Sequence, residues 1–127
     1  MRESLFRGKR VDNDEWIEGS LWIDVGFPKI LGPRNTFGYA VYPDTVGEYS
    51  GFHNKSGKQF VEGDIVRNRS KWNENIGVIV FRNGRFCVDW QICNRYSEKG
   101  LSMRTDDLCP DDEIIGNIHD NPELIRR

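Results

Sequence analysis

Two runs of β-branched and aromatic residues, joined through the dipeptide Asn83-Gly84, constrain this sequence more than any other feature. The first run covers residues 76–81 and the second covers residues 86–90. Asn-Gly suits the two central positions of a type I′ turn, because both positions require a positive φ that these residues tolerate. The sequence therefore predicts an antiparallel β-hairpin centred on Asn83-Gly84.

Short extended segments continue along the rest of the chain. Residues 15–23 alternate two sets of side chains, one starting at Trp16 and the other at Ile17, which is typical of a strand with one buried face. Gly and Pro at 26–35 and polar residues at 68–75 predict connections. No amphipathic helical pattern of ten or more residues occurs. Residues 51–61 predict a second hairpin, in which Asn54 and Gly57 can supply positive φ at the bend, and further extended candidates lie at residues 37–42, 65–67 and 113–118.

Many short strands joined by Gly, Asn, Asp and Pro turns predict an all-β fold, either a barrel or a sandwich. The length of 127 residues fits a single domain over residues 1–127, with sub-lobes at 1–45 and 46–127 as a further division. Four Trp, seven Phe and four Tyr supply the apolar surface of a core without disulfides. At the carboxyl end, Asn121-Pro122-Glu123 favours one short helical turn.

The cysteines and the hydropathy pattern bear on where the protein is found. Cys87, Cys93 and Cys109 are odd in number and form no C-x-x-C pair, so we expect reduced thiols. The first residues contain no apolar run typical of a signal or transit peptide. The longest apolar run, residues 78–81, is far shorter than the roughly 20 residues of a membrane span. We therefore expect a cytoplasmic protein with no membrane partner.

The residue types that catalysis, metals and nucleotides require do not fall into recognisable patterns. The three cysteines, with His53 and His119, lack the short paired spacing of a zinc site, and nothing near the thiols would activate them as nucleophiles. The acidic residues of 106–113 lack the alternating ligands and central Gly of a calcium loop. Neither phosphate-binding motif, G-x-x-x-x-G-K-[ST] or G-x-G-x-x-G, occurs. We expect no enzymatic activity, no cofactor and no metal.

Positive charge is concentrated in one part of the chain. Residues 61–105 carry 8 Lys or Arg against 5 Asp or Glu, although the whole chain has a net charge of −2. Basic and aromatic residues alternate there, and such residues bind phosphates and stack on bases, respectively. The interpretation that we favour is that the aromatic residues belong to the core and the arginines flank turns. The first interpretation predicts a nucleic-acid-binding site formed by Arg67, Arg69, Lys71, Trp72, Arg82 and Arg85.

Six segments form a recognisable series along the chain. Residues 6–10 are Phe-Arg-Gly-Lys-Arg, and residues 12–19 are Asp-Asn-Asp-Glu-Trp-Ile-Glu-Gly. Residues 42–52 are Tyr-Pro-Asp-Thr-Val-Gly-Glu-Tyr-Ser-Gly-Phe, continued by Asn-Lys-Ser-Gly-Lys at 54–58 and Glu-Gly-Asp-Ile-Val at 62–66. Ile-Gly-Asn-Ile-His-Asp-Asn-Pro-Glu-Leu follows at 115–124. In order and spacing, this series resembles the YopX-like phage protein family over nearly the whole chain.

The resemblance implies a phage or prophage protein with an N-terminal β region and a carboxy-terminal small barrel similar to a Src-homology-3 domain. It also implies self-association, but no established activity and no residue whose role could be transferred. Our leading hypothesis is a non-enzymatic phage accessory protein of the bacterial host cytoplasm that forms a homo-oligomer or binds a phage or host protein. The alternative is a nucleic-acid-binding small β-barrel that uses the basic and aromatic residues named above.

Overall fold

The computed structural model describes residues 5–32, 35–69, 74–90 and 105–125. Within these ranges the regular elements are β-strands and two short 3₁₀ turns, Pro43–Thr45 and Pro122–Leu124, so the predicted all-β class is confirmed. The strands are β1 Phe6–Lys9, β2 Trp16–Asp24, β3 Phe27–Gly32, β4 Asn35–Ala40, β5 Gly47–His53, β6 Gln59–Val61, β7 Asp64–Arg69, β8 Glu74–Arg82, β9 Arg85–Asp89, β10 Thr105–Asp107 and β11 Glu113–Asn117.

The chain divides into two compact units, residues 1–49 and 50–127. In the first unit the strands follow the order β4-β3-β2-β1-β5, with antiparallel pairing between neighbours. Ile30 and Val41 are buried there. Gly8 of β1 allows close packing, since a Cβ atom at this position would lie 2.9 Å from the Cβ atom of Val41.

The connection predicted at residues 26–35 is wrong, because most of these residues form β3 and the start of β4. The turn between β2 and β3 is instead confined to Val25 and Gly26, which both have positive φ. Pro28 lies inside β3 opposite Ile23. Gly and Pro are common in loops, but here tertiary pairing overrides that tendency. The predicted connection at 68–75 is shorter than expected, since β7 extends to Arg69 and β8 begins at Glu74.

In the second unit a five-stranded antiparallel sheet has the order β10-β9-β8-β7-β11. Strands β7 to β10 form a meander, and β11 returns to pair with β7. The predicted β8–β9 hairpin is confirmed, with Asn83 at φ 54° and Gly84 at φ 79° between the paired residues Arg82 and Arg85. The final residues of β5 belong to this unit and pair with β6.

The core of the second unit lies on one face of the five-stranded sheet, since the register gives Val66, Ile79 and Val88 the same alternation. Phe60, Val66, Ile79, Val88 and Trp90 form a buried cluster. Three partly buried hydrophobic residues pack against it, namely Phe86, Leu108 and Ile114. This cluster accounts for one of the two alternating sets of residues in β7, β8 and β9, and members of the other set, Ile65, Val78 and Cys87, are buried as well.

The small barrel that the resemblance implied, with Src-homology-3-like closure, is not formed by the strands that the structure describes. Both sheets are open in the described residues, because β10 pairs with β9 and β11 pairs with β7 without closing the ring. A closed barrel requires each edge strand to pair with a second neighbour. The alternation of polar and apolar side chains predicts strands, but it does not predict whether the edge strands pair and close the barrel. Within the described residues, no helix is long and apolar enough to cross a lipid bilayer.

Candidate functional site

Arg82 and Arg85, two of the residues predicted to bind nucleic acid, meet at the exposed end of the β8–β9 hairpin. The Nη1 atom of Arg82 donates a hydrogen bond of 2.5 Å to Oδ2 of Asp89, a buried carboxylate. This ion pair offsets part of the positive charge at the hairpin end. Phe81 and Phe86, the next pair along the ladder, pack edge to face with ring centroids 4.8 Å apart.

Arg67 lies on β7, beside the other end of β8, and it forms a hydrogen bond with an acidic residue. Its Nε atom donates a hydrogen bond of 3.0 Å to Oε1 of Glu113 on β11. Its ladder partner on β8 is Ile76, six residues from Arg82, which corresponds to about 20 Å of strand. The structure thus brings Arg82 and Arg85 together but keeps Arg67 away from them. Lys71, Trp72 and the side chain of Arg69 lie outside the described part of the chain.

The histidines and cysteines that were considered as metal ligands or nucleophiles do not form a cluster in the described part of the chain. No group of three or more His, Cys, Asp or Glu side chains there is arranged to hold a metal ion. Cys87 is buried in β9, and Cys109 is half-buried. Cys93 lies outside the described residues.

A polar cavity of about 530 Å³ opens in the second unit. Its volume falls within the range of small-molecule sites. Its charged and amide side chains interact with one another, however: Nδ2 of Asn68 donates a hydrogen bond of 2.8 Å to Oδ1 of Asp112, and Lys55 lies 3.8 Å from Asp111. The polar side chains that line the cavity therefore contact one another. It is lined by Asn54, Lys55, Ser56, Arg67, Asn68, Asp111, Asp112 and Glu113.

The first unit exposes large apolar side chains around the β2–β3 turn and on β4. Their exposed fractions are 56% for Ile23, 90% for Val25, 67% for Phe27 and 81% for Phe37. We call these four residues the apolar tip. Val25 also has φ +50°, a conformation that is costly for a β-branched residue. Neither packing nor backbone preference in this unit accounts for Val at that position.

One face of the same sheet carries cations next to tryptophan rings. Arg7 and Lys9 alternate along β1 and therefore share a face, and Lys9 pairs with Trp16 of β2. The guanidinium carbon of Arg7 lies 5.0 Å, and Nζ of Lys9 lies 5.8 Å, from the centre of the Trp16 ring. Both distances are within the range of cation–π interactions.

Trp22 repeats this arrangement farther along β2, opposite Lys29 of β3. Because Trp16 and Trp22 are six residues apart, both rings lie on the same face. Nζ of Lys29 also forms an ion pair of 2.9 Å with Asp24. We call Arg7, Lys9, Trp16, Trp22 and Lys29 the cation–aromatic strip. The alternation of residues 15–23 indicated the tryptophan face, but it did not indicate that β1 and β3 add cations to it.

Two hydrogen-bonded carboxylates hold the turn between β1 and β2. The guanidinium group of Arg10 donates hydrogen bonds of 3.0 and 2.7 Å to Asp12, which lowers the pKa of that carboxyl group. The hydroxyl group of Tyr42 donates a hydrogen bond of 3.0 Å to Oδ1 of Asp14, and this bond raises the pKa of Tyr42. These contacts fix the end of β1 beside Trp16.

Comparison of the sequence with known protein families identifies the family of this chain. The family described as YopX protein matches residues 6–126, which is almost the entire chain. The chain belongs to the YopX family. The match confirms the family resemblance that the sequence motifs of this chain indicated.

Protein EF1440 from Enterococcus faecalis, known from a crystal structure, has a similar fold to this YopX-family chain. The similarity covers 99% of this chain and 100% of that one, with a TM-score of 0.56 and 20% sequence identity. At this identity the similarity establishes a shared fold alone. No curated protein matches this YopX protein. Neither the family description nor the name of the structural relative specifies an activity.

Proposed function

We propose that this YopX protein is a non-enzymatic binding module that assembles with copies of itself or with a protein partner. The observation that carries the proposal is the apolar tip, where Phe27 and Phe37 are 67% and 81% exposed. Val25 and Phe27 adjoin at the β2–β3 turn, and exposed apolar side chains that lie together on a folded protein are typical of interaction sites. Phe37 lies on β4, toward the other end of β3. Burying an aromatic side chain of this size against a partner would contribute about 1.5–3 kcal/mol.

The position of β4 supports the same proposal. In the described residues β4 pairs with β3 alone, so it forms one edge of its sheet. Its sequence, Asn-Thr-Phe-Gly-Tyr-Ala, contains none of the charged or Pro residues that commonly protect edge strands. An edge of this kind can accept a strand from a second chain through backbone hydrogen bonds. Two copies could pair symmetrically at this edge.

Family membership supports a further part of the proposal, the biological setting. A phage or prophage accessory protein in the cytoplasm of a bacterial host would act through such contacts with its own copies, with phage proteins or with host proteins. The strained Val25 at the β2–β3 turn fits this setting, because conformational strain on an exposed turn is typical of functional surfaces.

Sedimentation velocity combined with light scattering tests the proposal directly. The double variant Phe27→Ser/Phe37→Ser should raise the dissociation constant of the assembly at least about tenfold, equivalent to about 1.4 kcal/mol. Phe52→Ser is the matched control, since Phe52 is 60% exposed and lies in the second unit. A wild-type protein that stays monomeric at all concentrations and captures no protein from infected or lysogenic cells would contradict the proposal.

Nucleic-acid binding at the β8–β9 hairpin is a second candidate function. It is favoured by the exposed pair Arg82 and Arg85, with the 47% exposed ring of Phe81 beside them. Arg85→Glu should abolish binding to nucleic acid and remove part of its salt dependence. Arg82 is left unchanged in this test, because it is also paired with Asp89. Unchanged binding by the variant would exclude this site.

A further inference from the structure

We propose that the cation–aromatic strip of the first unit binds single-stranded nucleic acid. This site differs from the β8–β9 hairpin, and it does not depend on assembly through the apolar tip. No part of it was included in the nucleic-acid site predicted from the sequence. The proposal rests on strand register, side-chain exposure and the chemistry of the five residues.

Register and exposure place the strip on the solvent face of its sheet. On β2, the residues that alternate with Trp16 are Glu18, Ser20 and Trp22, and all three are exposed. The intervening Ile17, Gly19 and Leu21 are less exposed. The cations of β1 and β3 pair with residues of the exposed set and therefore lie on the same face. Trp22 is the exposed member of the strip, whereas Arg7, Lys9, Trp16 and Lys29 are half-buried, so an extended ligand along β2 would reach Trp22 fully and the other four in part.

The chemistry of the strip fits a strand of nucleotides. Trp16 and Trp22 are separated by six residues of β2, or about 20 Å. Trp22 is exposed and provides an open stacking position, whereas a base at Trp16 would share the ring with Arg7 and Lys9. Each tryptophan has a lysine directly opposite on the neighbouring strand, Lys9 or Lys29. Indole rings stack on any base, and neighbouring ammonium and guanidinium groups bind the phosphates. A duplex keeps its bases covered, so single strands are the favoured form.

Two acidic residues near the strip lower its expected affinity for a phosphate chain, and they distinguish an anionic ligand from a cationic or neutral one. Glu18 pairs with Arg7 across the β1–β2 ladder, and Asp24 forms an ion pair with Lys29. The three cations of the strip therefore exceed the two nearby carboxylates by a single positive charge. Glu18 also accepts a hydrogen bond from the hydroxyl group of Tyr49. A phosphate strand should be repelled by Glu18, whereas a cationic or neutral partner should not be.

The test is fluorescence anisotropy of the full chain with a labelled oligothymidylate of about 15 nucleotides, a length within the range of single-strand sites. With three phosphate contacts, raising the salt from about 50 to about 200 mM should weaken wild-type binding about 20-fold. Lys9→Gln should reduce that ratio to about sevenfold, since it removes one contact. Trp22→Ala should weaken binding about tenfold through lost stacking.

Two further variants complete the test. One should tighten binding, and the other is a control with the same change in net charge. Glu18→Gln should tighten binding about two- to fivefold, as expected for removing one unfavourable surface charge. Lys55→Gln changes the net charge as Lys9→Gln does, but Lys55 lies in the second unit, so binding should stay as in the wild type. Thermal unfolding and sedimentation of each variant separate loss of binding from loss of fold or assembly.

The proposal is overturned by absence of saturable binding at low salt. It is also overturned if Trp22→Ala and Lys9→Gln bind as the wild type does, or if Glu18→Gln weakens binding. Loss of binding in Arg85→Glu alone would assign the interaction to the β8–β9 hairpin instead. Assembly through the apolar tip would be unaffected by any of these results, because it is measured by mass and depends on Phe27 and Phe37.

Discussion

At Gly19 of β2, an added methyl group would lie 2.0 Å from the carbonyl oxygen of Leu31 on β3. Because the obstacle is backbone, it cannot move without displacing the strand. We expect Gly19→Ala to lower the free energy of unfolding by about 2–3 kcal/mol or more, measured by urea titration with tryptophan fluorescence. Gly32→Ala is the control, since its new methyl group would meet only Ile17 Cδ1 at 3.6 Å, an ordinary contact. Equal midpoints for the two variants would contradict this account. The sequence pattern placed Gly19 in the strand, but it could not indicate the close approach of β3, which it predicted to be a connection.

The β8–β9 hairpin is the element whose structure the sequence predicted most fully. Its turn depends on local backbone preference at Asn83 and Gly84, and both residues have the expected positive φ. A Cβ atom at Gly84 would contact nothing within 4 Å, so Gly84→Ala tests only the conformational cost of a positive φ for a residue with a side chain. We expect a loss of about 1–2 kcal/mol in the free energy of unfolding, the cost of a left-handed L-residue. Asn83→Gly should change it by no more than a few tenths of a kcal/mol, because Gly also accepts this conformation. An unchanged urea midpoint for Gly84→Ala would show that the turn is not held in the type I′ form.

Across the whole molecule, what could be predicted from the sequence depends on how far apart in the sequence the interacting residues are. The hairpin and the strand alternation are local, and they were predicted. Barrel closure and the cation–aromatic strip depend on pairing between separate strands, as when β1 brings Arg7 and Lys9 beside Trp16. Likewise, Arg67 lies beside the opposite end of β8 from Arg82 and Arg85, because Arg67 pairs with Ile76 rather than with the hairpin end. Composition shows which residue types the chain contains, but only strand register shows which of them come together.

The same register predicts how stability is distributed over the chain. Strands β7, β8 and β9 each have a neighbour on both sides, and they contain the fully buried residues Ile65, Val66, Ile79 and Val88. In hydrogen exchange on dilute protein, their amides should exchange at least about a hundredfold more slowly than those of the edge strand β4. If copies assemble through β4, its protection alone should rise with protein concentration, because new backbone hydrogen bonds form there. Strong protection of β4 in dilute protein would contradict its assignment as an open edge. Protection that stays low while the measured mass increases would locate the assembly contact elsewhere on the apolar tip, since side-chain burial adds no backbone hydrogen bonds.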